Sequence, residues 1–169
     1  GSGKSTIAWS AADALQARGV PVRVLEPDAV RRVLLAGLSE GDRAREIAHR
    51  ALAYTAKLLT EAGVCVIVDA TAPRRAWREM ARGLIARFAE VQLVCRREVC
   101  VERERAARWQ LGGRPPVQQR AAVEAPDLAF DYEHALRPEL ILHTDVQDLW
   151  RAVEDVLRLA HRLRHREAS

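Results

Sequence analysis

The feature that most constrains this chain is its opening turn, Gly1-Ser2-Gly3-Lys4-Ser5-Thr6, which runs without a break into a helical pattern. Glycine, lysine and hydroxyl residues in that order close a phosphate-binding loop of the form G-x-x-x-x-G-K-[ST], with Gly3, Lys4 and Ser5 as its final residues. The first glycine of the full pattern would lie three residues upstream of Gly1. Glycines let backbone N–H groups turn inward around phosphate oxygens with no Cβ in the way. Lys4 is placed to reach the β- and γ-phosphates, and the Ser5 hydroxyl to ligate Mg²⁺. A helix from Lys4 to about Arg18 then presents its positive end to the anion. Gly1, Ser2, Gly3, Lys4, Ser5 and Thr6 are therefore the expected contacts of a nucleotide such as ATP with its Mg²⁺. A vector-derived scar can also begin Gly-Ser, but it would not continue into Lys4-Ser5-Thr6 and a helix.

A loop of this kind follows a buried strand, and no strand stands ahead of Gly1. The expectation is an α/β fold with a parallel sheet flanked by helices, short of its first strand. With 169 residues the chain fits one domain, residues 1–169. No apolar run approaches the roughly 18 residues of a membrane span, and no signal peptide is visible. Cys65, Cys95 and Cys100 are odd in number and lack C-x-x-C spacing, which reads as reduced thiols of a cytoplasmic protein. The net charge is +4, and all basic residues but Lys4 and Lys57 are arginine. Arginine suits bidentate recognition of phosphate and sulfate, so a small anionic substrate is expected. Genomic base composition would produce the same bias. A homodimer stays open.

Along the chain, Gly19 ends the first helix and Val22 to Leu25 forms a strand. Asp28 is placed to cap a helix from Ala29 to about Ala36, which Gly37 breaks. Ser39 to Asp42 resembles a capping box for a helix that stops at Gly63. Val64 to Ala70 is a near-continuous apolar strand, as in a sheet covered on both faces. A helix from Arg75 to Phe88, a strand from Val91 to Cys95 and a helix from Glu98 to about Arg108 follow. Gly112-Gly113-Arg114-Pro115-Pro116 breaks all regularity, and Trp109 to Ala129 reads as a loop. Leu140 to His143 is the last strand, with Asp145 placed to cap the last helix. The tail, residues 161–169, is basic, and His161 to Arg166 reads as frayed.

Four sets of residues carry chemistry besides the opening turn. Glu26, Asp28 and Arg31 lie at the carboxyl end of a strand, where ligands bind in an open α/β sheet. Asp28 could accept the proton of an attacking hydroxyl, and Arg31 could hold an anionic acceptor. A helix cap with an internal ion pair would use the same residues. Arg43 reads from spacing alone as a surface arginine paired to Glu46 or Glu40. Asp69, after an apolar strand, has the setting of a carboxylate that holds Mg²⁺; capping the next turn would suit it as well. Arg103, Arg105, Arg108, Arg114 and Arg120 surround the Gly/Pro loop, forming either a lid over phosphates at about 103–129 or a solvated basic loop. Trp109 alone gives no stacking platform, so nucleic acid is disfavoured as a partner.

With these residues in place, the chain resembles the adenylylsulfate kinases over nearly its whole length. That family runs from the phosphate loop to Asp-Gly-Asp-x-x-Arg, a Ser-Glu-x-Asp-Arg segment, Ser-Pro after a strand, and a closing Tyr-Glu, Pro-Glu-Leu and Thr-Asp. Here stand Gly1 to Thr6, Glu26 to Arg31, Gly37 to Arg43, Thr71-Ala72-Pro73, Tyr132-Glu133 and Arg137 to Asp145. The resemblance implies phosphorylation of the 3′-hydroxyl of adenosine 5′-phosphosulfate by MgATP, giving 3′-phosphoadenosine 5′-phosphosulfate. It puts Asp28 at the base, Arg31 and Arg43 on the acceptor, and Arg103 beside the ATP adenine. Glu26, Glu46, Thr71 and Pro73 fall at further acceptor positions. The chain departs from the pattern at Glu26, at Pro27 for Gly, at Leu38 for a stacking Phe, at Glu46 for Asn, and at Ala72 for Ser. The lid's Lys-Gly-Leu-Tyr pattern is absent after Arg103. Val68-Asp69-Ala70-Thr71 followed by Arg75 and Arg78 also resembles P-loop kinases acting on other small molecules or polynucleotide ends. A nucleotide-binding module without catalysis is the remaining alternative.

Overall fold

A computed structural model of the chain describes residues 1–34, 41–110 and 132–165, with 108–110 described by backbone alone. Helices and strands alternate: α1 (Lys4–Ala17), β1 (Val22–Leu25), α2 (Pro27–Leu34), α3 (Asp42–Glu61), β2 (Cys65–Val68), α4 (Arg75–Leu84), β3 (Val91–Val94), α5 (Arg97–Gln110), β4 (Leu140–His143) and α6 (Leu149–His165). β1 pairs in parallel with β2, with Val22 opposite Cys65. β3 pairs in parallel with β4, with Val91 opposite Leu140. Among the described residues no strand joins β2 to β3, so the sheet consists of two parallel ladders.

The two ladders are tied together by α1 and α6. Both helices carry apolar residues at helical spacing, and several of these are alanine, which lets the helices approach closely. Ala11, Ala12 and Leu15 of α1 and Val153 and Leu157 of α6 pack with Val20 and Val22 over the β1–β2 ladder. Ile7, one turn nearer the start of α1, and Ala152, next to Val153 on α6, enclose Leu142 over the β3–β4 ladder. On another side, α3 buries Ala48, Leu52, Ala53 and Ala56 and packs against β2, α2 and α4.

Helices α1 and α3 stop in the same way. Gly19 at φ 74° and Gly63 at φ 81° take the left-handed conformation that reverses the chain. The following N–H groups, of Val20 and Val64, donate back to the Leu15 and Leu59 carbonyls, both at 3.0 Å.

Several local expectations are corrected. α2 begins at Pro27, whose fixed φ suits a first helical position, so Asp28 lies inside the first turn and does not cap it. α3 begins at Asp42 with Gly41 as its cap residue. Asp148, not Asp145, caps α6, accepting from the Trp150 and Arg151 N–H groups at 3.0 and 3.3 Å. Asp145 is instead held by Arg96 at 2.8 Å. α6 continues through His165, where a frayed tail is expected. α5 extends to Gln110 and takes Trp109 into its backbone. The readings on Gly37, Leu38, Ser39, Glu40, Arg114 and Arg120, and most of the lid, lie outside the described residues. No described helix is long and apolar enough to cross a membrane.

Candidate active site

The opening turn is built as a phosphate cradle needs. Gly3 caps α1 at φ 87°, a left-handed value that favours glycine. No side chain caps the helix, and its first turn holds no acidic residue. A Cβ at Gly1 would run into the Cys100 carbonyl, so α5 backs the turn closely. The Thr144 hydroxyl, at the carboxyl end of β4, donates to the Ser2 carbonyl at 2.8 Å. Arg103 in turn donates to the Thr144 carbonyl at 2.7 Å. Thr144 is buried and Arg103 is exposed. The turn is thus fastened to a strand end from the far side of the sequence.

The carboxyl ends of β1 and β2 carry the other set. Glu26 follows β1, and Asp28 in the first turn of α2 is ion-paired with Arg31. Both side chains stay open, at 68% and 37% exposure. Asp69 follows Val68 and its N–H donates to the Leu25 carbonyl at 2.9 Å, continuing the β1–β2 ladder by one bond. Thr71 and Pro73 flank Ala72, which sits at φ 41° and is the one positive-φ residue other than glycine among those described. Arg43 projects to 80% exposure and pairs with Glu46 at 3.3 Å. Glu46 also accepts from Arg50 at 2.9 Å. Arg50 first, then Arg43, holds the Glu46 carboxyl below its ordinary value. The surface pairing of Arg43 with Glu46 that spacing alone suggests is therefore present.

The structure gathers Glu26, Asp28, Arg31, Asp69, Thr71 and Pro73 at the ends of one ladder. It sets Arg103 with Thr144 at the end of the other ladder, beside the phosphate turn. Among the described residues no group of three or more His, Cys, Asp or Glu side chains is placed to hold a metal ion. Ser5 and Asp69 fit an ion that takes most of its ligands from nucleotide and water, which is how Mg²⁺ is commonly held.

Sequence reasoning missed three residues that shape this edge. Thr144 was legible as part of Thr-Asp but not as the anchor of Ser2. Arg78 binds the Ala72 and Pro73 carbonyls from within α4 and reaches the Glu133 carbonyl 55 residues away, and the Glu133 carboxylate accepts from the Arg75 N–H across 58 residues. Arg78 is 8% exposed in the middle of α4, and no local spacing in the sequence marks it as interior.

A lysine and hydroxyls closing a glycine turn at a helix N-terminus, beside the carboxyl ends of parallel strands, define a P-loop α/β kinase. The family model for adenylylsulphate kinase matches residues 1–143. An adenylyl-sulfate kinase from a Synechococcus strain is 32% identical over 94% of this chain and 87% of its own length. The solved APS kinase CysC of Mycobacterium tuberculosis, in complex with AMPPNP and APS, superposes with a TM-score of 0.72 at 26% identity, covering 95% of this chain and 92% of that one. A sugar kinase from Janibacter superposes with a TM-score of 0.65 at 25% identity, over 95% and 89%. The chain belongs to the adenylylsulphate kinase family. It is accordingly a phosphotransferase that acts on a hydroxyl group.

Proposed function

We propose that this chain phosphorylates the 3′-hydroxyl of adenosine 5′-phosphosulfate, with ATP and Mg²⁺ as phosphoryl donor and metal. The observation that supports the reading is the bond from Thr144 to Ser2, which fastens the phosphate turn to the carboxyl end of β4, while the acceptor motifs stand at the carboxyl ends of β1 and β2. Backbone N–H groups of Gly1 to Thr6 and the Lys4 ammonium bind the donor phosphates, and Arg103 lies against its adenine. Ser5 and Asp69 hold Mg²⁺, whose chemistry is to neutralise phosphate charge. Asp28 takes the proton from the acceptor hydroxyl, and Arg31 and Arg43 hold the phosphosulfate. Glu26, Glu46, Thr71 and Pro73 border the acceptor. Residues 1–169 form one kinase domain, with a lid at about 103–129, acting in the cytoplasm on a small anionic substrate.

A second acceptor class, a neutral small-molecule hydroxyl, is favoured by one feature. Glu46 already engages Arg43, which reduces the positive charge offered to an anion. Labelled ATP with a panel of adenosine 5′-phosphosulfate, nucleosides, polynucleotide ends and small sugars separates the two. The expected product is 3′-phosphoadenosine 5′-phosphosulfate. A kcat/KM well above that value for another acceptor overturns the specific reading and leaves the kinase class.

A further inference from the structure

Arg78 is a buried arginine whose donors converge on a strained turn. Its Nε donates to Glu90 Oε1 at 2.5 Å. Its Nη1 donates to the Ala72 carbonyl at 2.6 Å and the Pro73 carbonyl at 3.3 Å. Its Nη2 donates to the Glu133 carbonyl. The guanidinium lies over the Tyr132 ring, 4.9 Å from its centroid. A planar fork with fixed directions can hold three carbonyls from two segments in one arrangement, which a lysine cannot.

The segments it joins are informative. One is the turn with Ala72 at φ 41°, a left-handed conformation that an alanine keeps only where its surroundings hold it. The other is the chain where it returns at Tyr132 and Glu133. Glu133 closes the clamp from outside. Its N–H donates to the Pro73 carbonyl at 3.0 Å. Its carboxylate accepts from the Arg75 N–H at 2.7 Å and pairs with Arg74 at 3.6 Å. The Arg75 N–H bond is the main reason that carboxyl lies below its ordinary value.

Arg78 touches none of the residues assigned to the donor nucleotide. We propose that Arg78, with Glu133, is a positioning residue that fixes the Thr71–Pro73 turn and so sets affinity for the acceptor, not for ATP. The inference rests on the acceptor reading above, in which Thr71 and Pro73 border that substrate.

The test uses Arg78→Lys, which keeps the charge beside Glu90 and removes the fork, and Glu133→Gln, which weakens the clamp at its exposed end. In Arg78→Lys the KM for adenosine 5′-phosphosulfate rises about tenfold or more, the scale of one or two lost hydrogen bonds, while the KM for ATP stays within about twofold. Glu133→Gln shows the same split at smaller size, and it decides the matter if Arg78→Lys does not fold. Amide exchange at Glu133 is read alongside and accelerates in both variants. A parallel rise of both KM values, or an unchanged acceptor KM in a folded variant, overturns the proposal. If the wild type phosphorylates a different acceptor, the substrate reading fails alone and the KM split is measured with that acceptor. If it phosphorylates none, the exchange at Glu133 decides, and unchanged exchange overturns the clamp.

Discussion

Trp77 and Arg78 are consecutive on α4, yet they meet opposite kinds of interior. Arg78 reaches two carboxylate-bearing segments and remains a charged hub. Trp77 stacks on His49 of α3, with ring centroids 4.6 Å apart and planes 26° apart. Burial pushes His49 down to about 4, and the nearby Arg31 charge adds to the shift. The difference lies in what surrounds each base. Arg78 has the Glu90 carboxylate against it, while a buried imidazole whose charged neighbour is an arginine stays neutral. The rim pair of Asp28 and Arg31 offers a third setting, where the same Arg–carboxylate chemistry is open to water and to substrate.

Four experiments break or sharpen this comparison, from the largest effect down. Lys4→Ala lies on the donor side and removes a charge next to the transferred group. It should lower kcat by on the order of 10³–10⁵, the range for a cationic contact to a transferring phosphoryl, with an unchanged melting temperature. Asp28→Asn should lower kcat by roughly 10²–10⁴ if Asp28 is the base. Its effect on stability should stay within about 1 kcal/mol, because the Arg31 pair is exposed. An unchanged kcat with a raised KM would move Asp28 from proton acceptor to binding group.

Glu90→Gln inverts that pattern. It leaves Arg78 buried without its close counter-charge and should destabilise the fold by about 3–5 kcal/mol in denaturant titration. A loss below about 1 kcal/mol would show that the Ala72, Pro73 and Glu133 carbonyls suffice for Arg78. The last experiment is a pH series. Because the folded value of His49 is depressed, the unfolded chain binds the proton more readily between the ordinary histidine value of 6.5 and about 4. The stability that neutral His49 confers is complete above that window and is lost as pH falls through it, by up to roughly 3 kcal/mol. His49→Gln should flatten this part of the profile. An identical profile in the variant would place the titration elsewhere.

How much of this was legible in the sequence follows from the range of each interaction. The turn residues Gly3, Gly19 and Gly63 announce themselves locally, and all three hold positive φ. The strands β1 and β4 match their expected bounds residue for residue. Caps were harder, since Asp145 and Asp148 both precede α6 and only tertiary contact decides between them. Arg96 claims Asp145, and Asp148 is left for the helix. The Arg78 hub was not legible at all as a hub. Its partners Glu90, Ala72 and Glu133 come from three loops, and nothing in the spacing of α4 marks one arginine as interior. At the rim, charge and position at strand ends pointed to Asp28 and Arg31, and the two side chains are paired with each other and exposed.

Helices α1 and α6 have a consequence for how binding reaches the fold. Both pack over β1–β2 and over β3–β4. A polyphosphate held at the start of α1 therefore grips a helix that rests on both ladders, and binding it should slow amide exchange in both together. The nucleotide would then be a brace of the fold as well as a reactant.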